Sequence, residues 1–125
     1  MKKNIFIGLL LFFTTISFAQ DKIEEVTASK ELKVGTEVPV SVTYAVSEKR
    51  NMRVFVQLNE DPWITVSSEA KLLKEGTNQA DFVLKIPQDA KEGSNYKVVV
   101  SLAPLRKGWP DRLDDYSIME VVISK

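Results

Sequence analysis

The segment from Pro104 to Tyr116 concentrates the side chains best suited to chemistry in this 125-residue chain. Trp109 stands between Gly108 and Pro110, with Arg106, Asp111, Arg112, Asp114, Asp115 and Tyr116 around it. An indole stacks on the apolar C–H face of a sugar ring, while Arg and Asp hydrogen-bond the hydroxyl rim. Trp, Tyr and Arg also dominate the energetics of protein–protein contacts. A third role is architectural: Trp109 folds back as a lid over the open end of the domain beside Leu105 and Leu113. Arg112 then pairs with Asp111, Asp114 or Asp115 to hold the loop. Trp is highly buried on average, so lid and contact surface both stand as readings.

The same segment does not read as a metal site. Calcium takes six to eight oxygens from a suitable loop, and Asp111-x-x-Asp114-Asp115 matches no such spacing. The chain has no His and no Cys. That removes the commonest metal ligand and the usual nucleophile–base pairs of covalent catalysis. Glycoside hydrolysis needs two carboxylates facing across a cleft, ~5 to 9.5 Å apart, and a domain this small has little room for one. The sequence reads as non-catalytic, and no cofactor is implied.

The N-terminus gives the compartment. Lys2 and Lys3 precede an apolar run, Ile5 to Phe13, and small residues lead to Ala19. This is the pattern of a secretory signal peptide, residues 1–19, cleaved before Gln20. The apolar run is shorter than the ~20 residues of a spanning helix. An exported product, periplasmic or extracellular, is therefore expected. Taking 19 residues from 125 leaves 106, enough for one domain, 20–125. Without cysteine it is held by packing rather than disulfides, and it carries no lipid-attachment thiol. Seventeen basic residues balance seventeen acidic ones, and loss of Lys2 and Lys3 leaves 15 against 17. That balance gives no footprint for nucleic acid or, once the leader is gone, for a membrane.

The elements that must position the loop are strands. Apolar residues recur with period two at Val38, Val40, Val42, Tyr44 and Val46, and again at Met52, Val54, Val56 and Leu58. A polar connection of hairpin length, Ser47 to Asn51, separates these runs. After the turn signal Asn59-Glu60-Asp61-Pro62, an extended stretch begins at Trp63. Ala80, Phe82, Leu84 and Ile86 alternate up to Pro87. Tyr96, Val98, Val100 and Leu102 then share one face, and Met119, Val121 and Ile123 mark the last strand. A strand around Glu25 to Ser29 makes about seven, which argues for an all-β, two-layer antiparallel sandwich. Leu72-Leu73 fits a strand end or a turn of helix. Tyr96, just after a Gly-containing corner, is placed to tie its hydroxyl back to that corner.

The run Val34-Gly35-Thr36-Glu37-Val38-Pro39-Val40-Ser41-Val42-Thr43-Tyr44 resembles a familiar type. With Phe82 to Pro87, Gly93 to Tyr96, and Gly108-Trp109 with Arg112-Leu113, it is similar to small Ig-like or fibronectin-III-like modules of secreted bacterial proteins. Such modules often sit beside polysaccharide-degrading enzymes. The resemblance implies a non-catalytic accessory module, carbohydrate-associated.

In the Ig order the strands at 52–58, 96–102 and 119–123 share a sheet. Its outward sets are then Arg53, Phe55 and Gln57; Lys97, Val99 and Ser101; Ile118, Glu120 and Val122. Phe55, Val99, Ile118 and Val122 form an apolar patch rimmed by Arg53, Lys97 and Glu120, or else scatter as ordinary strand residues. Trp63 is expected to be buried across the sandwich; exposed, it would be a second stacking platform. The leading expectation is a polysaccharide-binding module contacting its ligand through Trp109, Arg106, Asp111 and Arg112, with Asp114, Asp115 and Tyr116 beside them. The alternative partner is a secreted or cell-surface protein, met by the Phe55 face or a strand edge.

Overall fold

The computed structural model describes residues 21–76 and 78–125. The expected leader, residues 1–19, lies outside the described residues. Alternating apolar residues produce strands β1 (Lys22–Thr27), β2 (Glu31–Lys33), β3 (Glu37–Ala45), β4 (Arg50–Leu58), β5 (Thr65–Leu73), β6 (Gln79–Lys85), β7 (Gly93–Pro104) and β8 (Asp114–Ser124). They form two layers, one ordered β1-β3-β6 and the other β2-β8-β7-β4-β5. This is an Ig-like β-sandwich. It has one strand beyond the seven expected, because β2 is three residues long and too short to show a period. β2 also runs parallel to β8, so the pairing is not wholly antiparallel.

The core lies between the layers and is built from the alternating sets. Val40, Val42, Phe82 and Leu84 face Met52, Val54, Val56, Val98, Val100 and Leu102, all essentially without exposure. Each such burial stabilises the fold by roughly 1.5–3 kcal/mol, offset in large part by lost chain entropy. The polar connection after β3 is not a hairpin. β3 and β4 lie in opposite layers, so it carries the chain across the sandwich. Its length did not reveal this, since short links serve both purposes. Leu72 and Leu73 end β5, with Leu73 in the core and Leu72 exposed. At Gly35, φ is +74°, a conformation that side-chain-bearing residues rarely adopt, so the turn into β3 favours glycine.

The last strand departs from the expected alternation. Glu120 has φ 58°, and the β7–β8 register shifts between Tyr96 and Val98. Such an irregularity exchanges the two faces of a strand. Val121 and Ile123 are buried as expected, but Met119 is exposed and Ile118 packs against the core. The four-residue patch therefore does not form. Ile118 lies on the inner face, opposite Val98, while Phe55 and Val99 remain on the outer one.

Tyr96 closes its corner as expected. Its ring is buried and its hydroxyl donates to the Lys91 carbonyl at 2.6 Å. The open side between β5 and β6 is bridged by side chains. Glu69 accepts from the Val83 N–H at 2.9 Å, and the Lys71 ammonium donates to the Asp81 carbonyl. These are free edge groups of β6, which would otherwise invite a further strand.

Candidate functional site

The link between β7 and β8 is shorter than the sequence suggests. β7 runs to Pro104 and β8 begins at Asp114, so Asp114, Asp115 and Tyr116 belong to a strand. A turn from Pro104 to Lys107, closed by a 3.0 Å bond, leaves Arg106 at φ 64°. A single 3₁₀ turn follows, Trp109–Asp111, with Pro110 presetting its backbone. Asp111 N–H donates to Gly108 and Arg112 N–H to Trp109.

This turn lays Trp109 on the outer face of the five-stranded layer, not over the open end of the sandwich. The indole meets Phe55 edge to face, with centroids 6.0 Å apart and planes at 79°. Phe55 is 5% exposed and Val99 1%, although both lie on an outer face, while Trp109 itself stays 40% exposed. The Trp109 loop and the Phe55 face, separate expectations from sequence, meet in one place.

Arg112 fixes the indole. Its guanidinium carbon sits 3.9 Å from the Trp109 ring centroid. Its Nη1 donates to the Trp109 carbonyl at 3.0 Å, and its Nε donates to Asp115 Oδ2 at 2.8 Å. Asp114 turns elsewhere: its Oδ2 accepts from the Ile23 N–H at 2.8 Å, tying β8 to β1. Of the residues expected at the site, the structure therefore gathers Trp109, Arg112 and Asp115. It spends Asp114 on strand docking, and leaves Arg106, Asp111 and Tyr116 exposed. Tyr116 pairs opposite Val100, on the inner side of β8. No group of three or more potential metal-ligating side chains occurs among the described residues.

Beside Trp109 runs a groove of about 380 Å³. Phe55 and Val99 form its floor, and Arg53, Gln57, Thr65 and Lys97 its polar lining. Cross-strand register explains the set: Phe55 pairs with Val99, and Gln57 with both Lys97 and Thr65. Arg53 is held by Ser68, its Nε donating to Oγ at 2.7 Å, with its guanidinium carbon 4.5 Å from the Phe55 centroid. Lys97 Nζ lies 5.2 Å from the Trp63 ring centroid. Trp63 is 49% exposed, not buried across the sandwich. It sits in the β4–β5 turn at φ 59°, ahead of the strand, so the alternation that drives side chains inward does not reach it. Arg53, Gln57 and Lys97 were legible as one outward set; their joining to Trp109 was not.

A larger depression, about 550 Å³, lies where β1 begins, among Asp21, Ile23, Ser47, Arg50, Leu113 and Asp114. Its polar groups satisfy one another. Arg50 Nε is bonded to the Asp21 carboxylate, which also accepts from Ser47 N–H at 2.9 Å, and Asp114 holds Ile23. It is a clasp between strands, and the groove beside Trp109 is the better candidate.

Residues 23–115 match the family model described as the porphyranase-associated domain. The chain belongs to that family. This porphyranase-associated domain is thus a small β-module of the kind that accompanies polysaccharide-degrading enzymes. No curated protein matches it. Among solved structures it is similar to a glycosyl hydrolase family 2 member from Bacteroides cellulosilyticus, with TM-score 0.51 and 17% identity over 80% of this chain. It spans only 14% of that protein's length, so the likeness is one of fold. A β-glucuronidase of glycoside hydrolase family 2 is also similar, at TM-score 0.45 and 16% identity over 78% of this chain and 12% of the other. Among the described residues, no helix is long and apolar enough to cross a membrane.

Proposed function

We propose that this domain is an exported, non-catalytic module that binds polysaccharide on the outer face of its five-stranded sheet. The observation that carries the reading is the half-exposed Trp109 fixed at the wall of the groove. A ligand surface needs an apolar plane held still beside convergent polar groups. Arg112 and Asp115 hold the plane, and Arg53, Gln57, Thr65 and Lys97 supply the polar groups. Arg112 covers part of the indole, so a sugar ring stacks on what remains exposed along the groove. Arg106 and Asp111, exposed on the same loop, extend the contact to neighbouring sugars. Membership in the porphyranase-associated family supports a glycan ligand.

The test is calorimetric titration of residues 20–125, which contain the whole described fold, with a panel of soluble polysaccharides. Trp109→Ala is run beside it, with folding checked by circular dichroism. Saturable binding to one glycan, lost in the folded variant, supports the reading. Binding that survives Trp109→Ala, or binding to no glycan while secreted proteins are captured through the same face, overturns it.

A further inference from the structure

The charge of the groove narrows the ligand, an inference that rests on the polysaccharide reading above. The charged side chains lining it are Arg53 and Lys97, and no carboxylate lines it. Neither cation is engaged by an acid among the described residues: Arg53 meets Ser68 and the Phe55 ring, and Lys97 meets the Trp63 ring. The contrast with Arg112 is direct, since Asp115 neutralises that guanidinium on the same face. The protein as a whole has no cationic excess, so two unneutralised cations in one groove are a local feature.

We propose that the groove takes an anionic polysaccharide, one whose sugars carry sulfate or carboxylate groups. A neutral glycan offers hydroxyls, which Gln57 and Thr65 satisfy as well as any cation does. An anionic substituent gains charge-assisted hydrogen bonds from Arg53 and Lys97, roughly twice as strong as neutral ones. Arg53 suits a planar or trigonal oxyanion face because Ser68 fixes its fork and Phe55 supports its plane. Lys97 pairs with Gln57 on the neighbouring strand, and Gln57 lies four residues beyond Arg53. At ~3.3 Å per residue, the backbone positions that carry the two cations stand about 13 Å apart along the strands. That span exceeds one sugar ring, so the cations engage substituents on different sugars of a chain lying along the groove, with Trp109 as its wall.

The experiment titrates residues 20–125 with a sulfated galactan and its chemically desulfated form, and with a polyuronate and its methyl ester. Wild type is compared with Arg53→Gln, Lys97→Gln and Trp109→Ala, each verified as folded. The inference expects one acidic polymer to bind roughly tenfold or more tightly than its neutralised counterpart. That gap shrinks in Arg53→Gln and in Lys97→Gln, and the preferred pair identifies sulfate or carboxylate. Equal binding of charged and neutralised forms, lost in Trp109→Ala, overturns the anionic inference while leaving the polysaccharide reading intact. Binding of both polyanions unaffected by Arg53→Gln, Lys97→Gln and Trp109→Ala also overturns it, as general charge attraction. Binding of none of the four overturns it together with a glycan role for this groove.

Discussion

Trp109 packs edge to face on Phe55 with ring centroids 6.0 Å apart, and so covers a phenylalanine that β4 points away from the core. Offset and edge-on aromatic pairs contribute about 0.5–1.5 kcal/mol beyond the area they bury. The two rings are unequal partners. Phe55 is nearly buried and Trp109 is not.

That inequality predicts the mutational response. Phe55→Ala leaves a hole beneath the loop and is expected to cost about 3 kcal/mol, at the low end for a buried aromatic. Trp109→Ala should cost less, about 1–2 kcal/mol, because the indole already meets solvent. Urea unfolding midpoints of the two single variants and the double variant give the coupling. A coupling near zero would mean that the rings do not support one another.

Tyr96→Phe removes one hydroxyl and its bond to the Lys91 carbonyl, and leaves the ring in place. The expected loss is about 1 kcal/mol, a typical net value for such a bond. Thermal denaturation measures it. Burial pushes the Tyr96 phenol above its ordinary pKa, so alkaline titration should deprotonate it later than a free tyrosine. An unshifted phenol titration would contradict the buried corner.

Acid should weaken the clasp at the start of β1. Burial pushes the Asp21 carboxyl up, but hydrogen bonds from Arg50 and Ser47 outweigh it and hold the group below its ordinary value. The folded state thus binds the proton less tightly than the unfolded chain does. The resulting stability is complete above the unfolded carboxylate pKa of about 3.9 and is lost as pH falls through the depressed folded value. Asp21→Asn should cost roughly 1–3 kcal/mol at neutral pH, because it leaves the largely buried Arg50 with the exposed Glu48 carboxylate, 3.8 Å away, as its remaining acidic partner among the described residues. It should also flatten the acid limb of stability against pH, followed by chemical denaturation between pH 2 and 7. An unchanged limb would place the acid sensitivity elsewhere.

The bridge across the open side predicts an association phenotype. Glu69 and Lys71 occupy backbone groups of β6 at Val83 and Asp81. The double variant Glu69→Ala with Lys71→Ala frees both, and an unprotected edge pairs with other chains. Sedimentation velocity should show concentration-dependent self-association in the variant beyond that of the parent. A variant as monodisperse as its parent would show that the bridge does not guard the edge.

How much of this was legible in the chain differs by element. β3, β4, β6 and β7 could be read from the chain, because each buries the set that alternation picks out, although β4 and β7 also cover Phe55 and Val99 on their outer face. In β8 the alternation holds at Val121 and Ile123 but fails at Ile118 and Met119, since one residue at positive φ between them reverses a face without any mark in composition. β2 was not seen at all. The loop around Trp109 was found from its composition, but Asp114 and Asp115 looked alike there. Only the approach of β1 separates them, giving Asp114 to Ile23 and Asp115 to Arg112.

Most of the strands, the sandwich, the Tyr96 corner and the tryptophan worth testing were legible in the chain alone. Those rest on local signals: period two, turn residues, and an aromatic between Gly and Pro. The tertiary structure alone decided that Trp109 lies on Phe55, that Arg53 and Lys97 line the same groove, and that Trp63 meets Lys97. These are relations between residues distant in the chain. They follow from which strands become neighbours and which side of the sheet a turn falls on. Alternation fixes which residues of a strand share a face, and strand pairing fixes what that face meets.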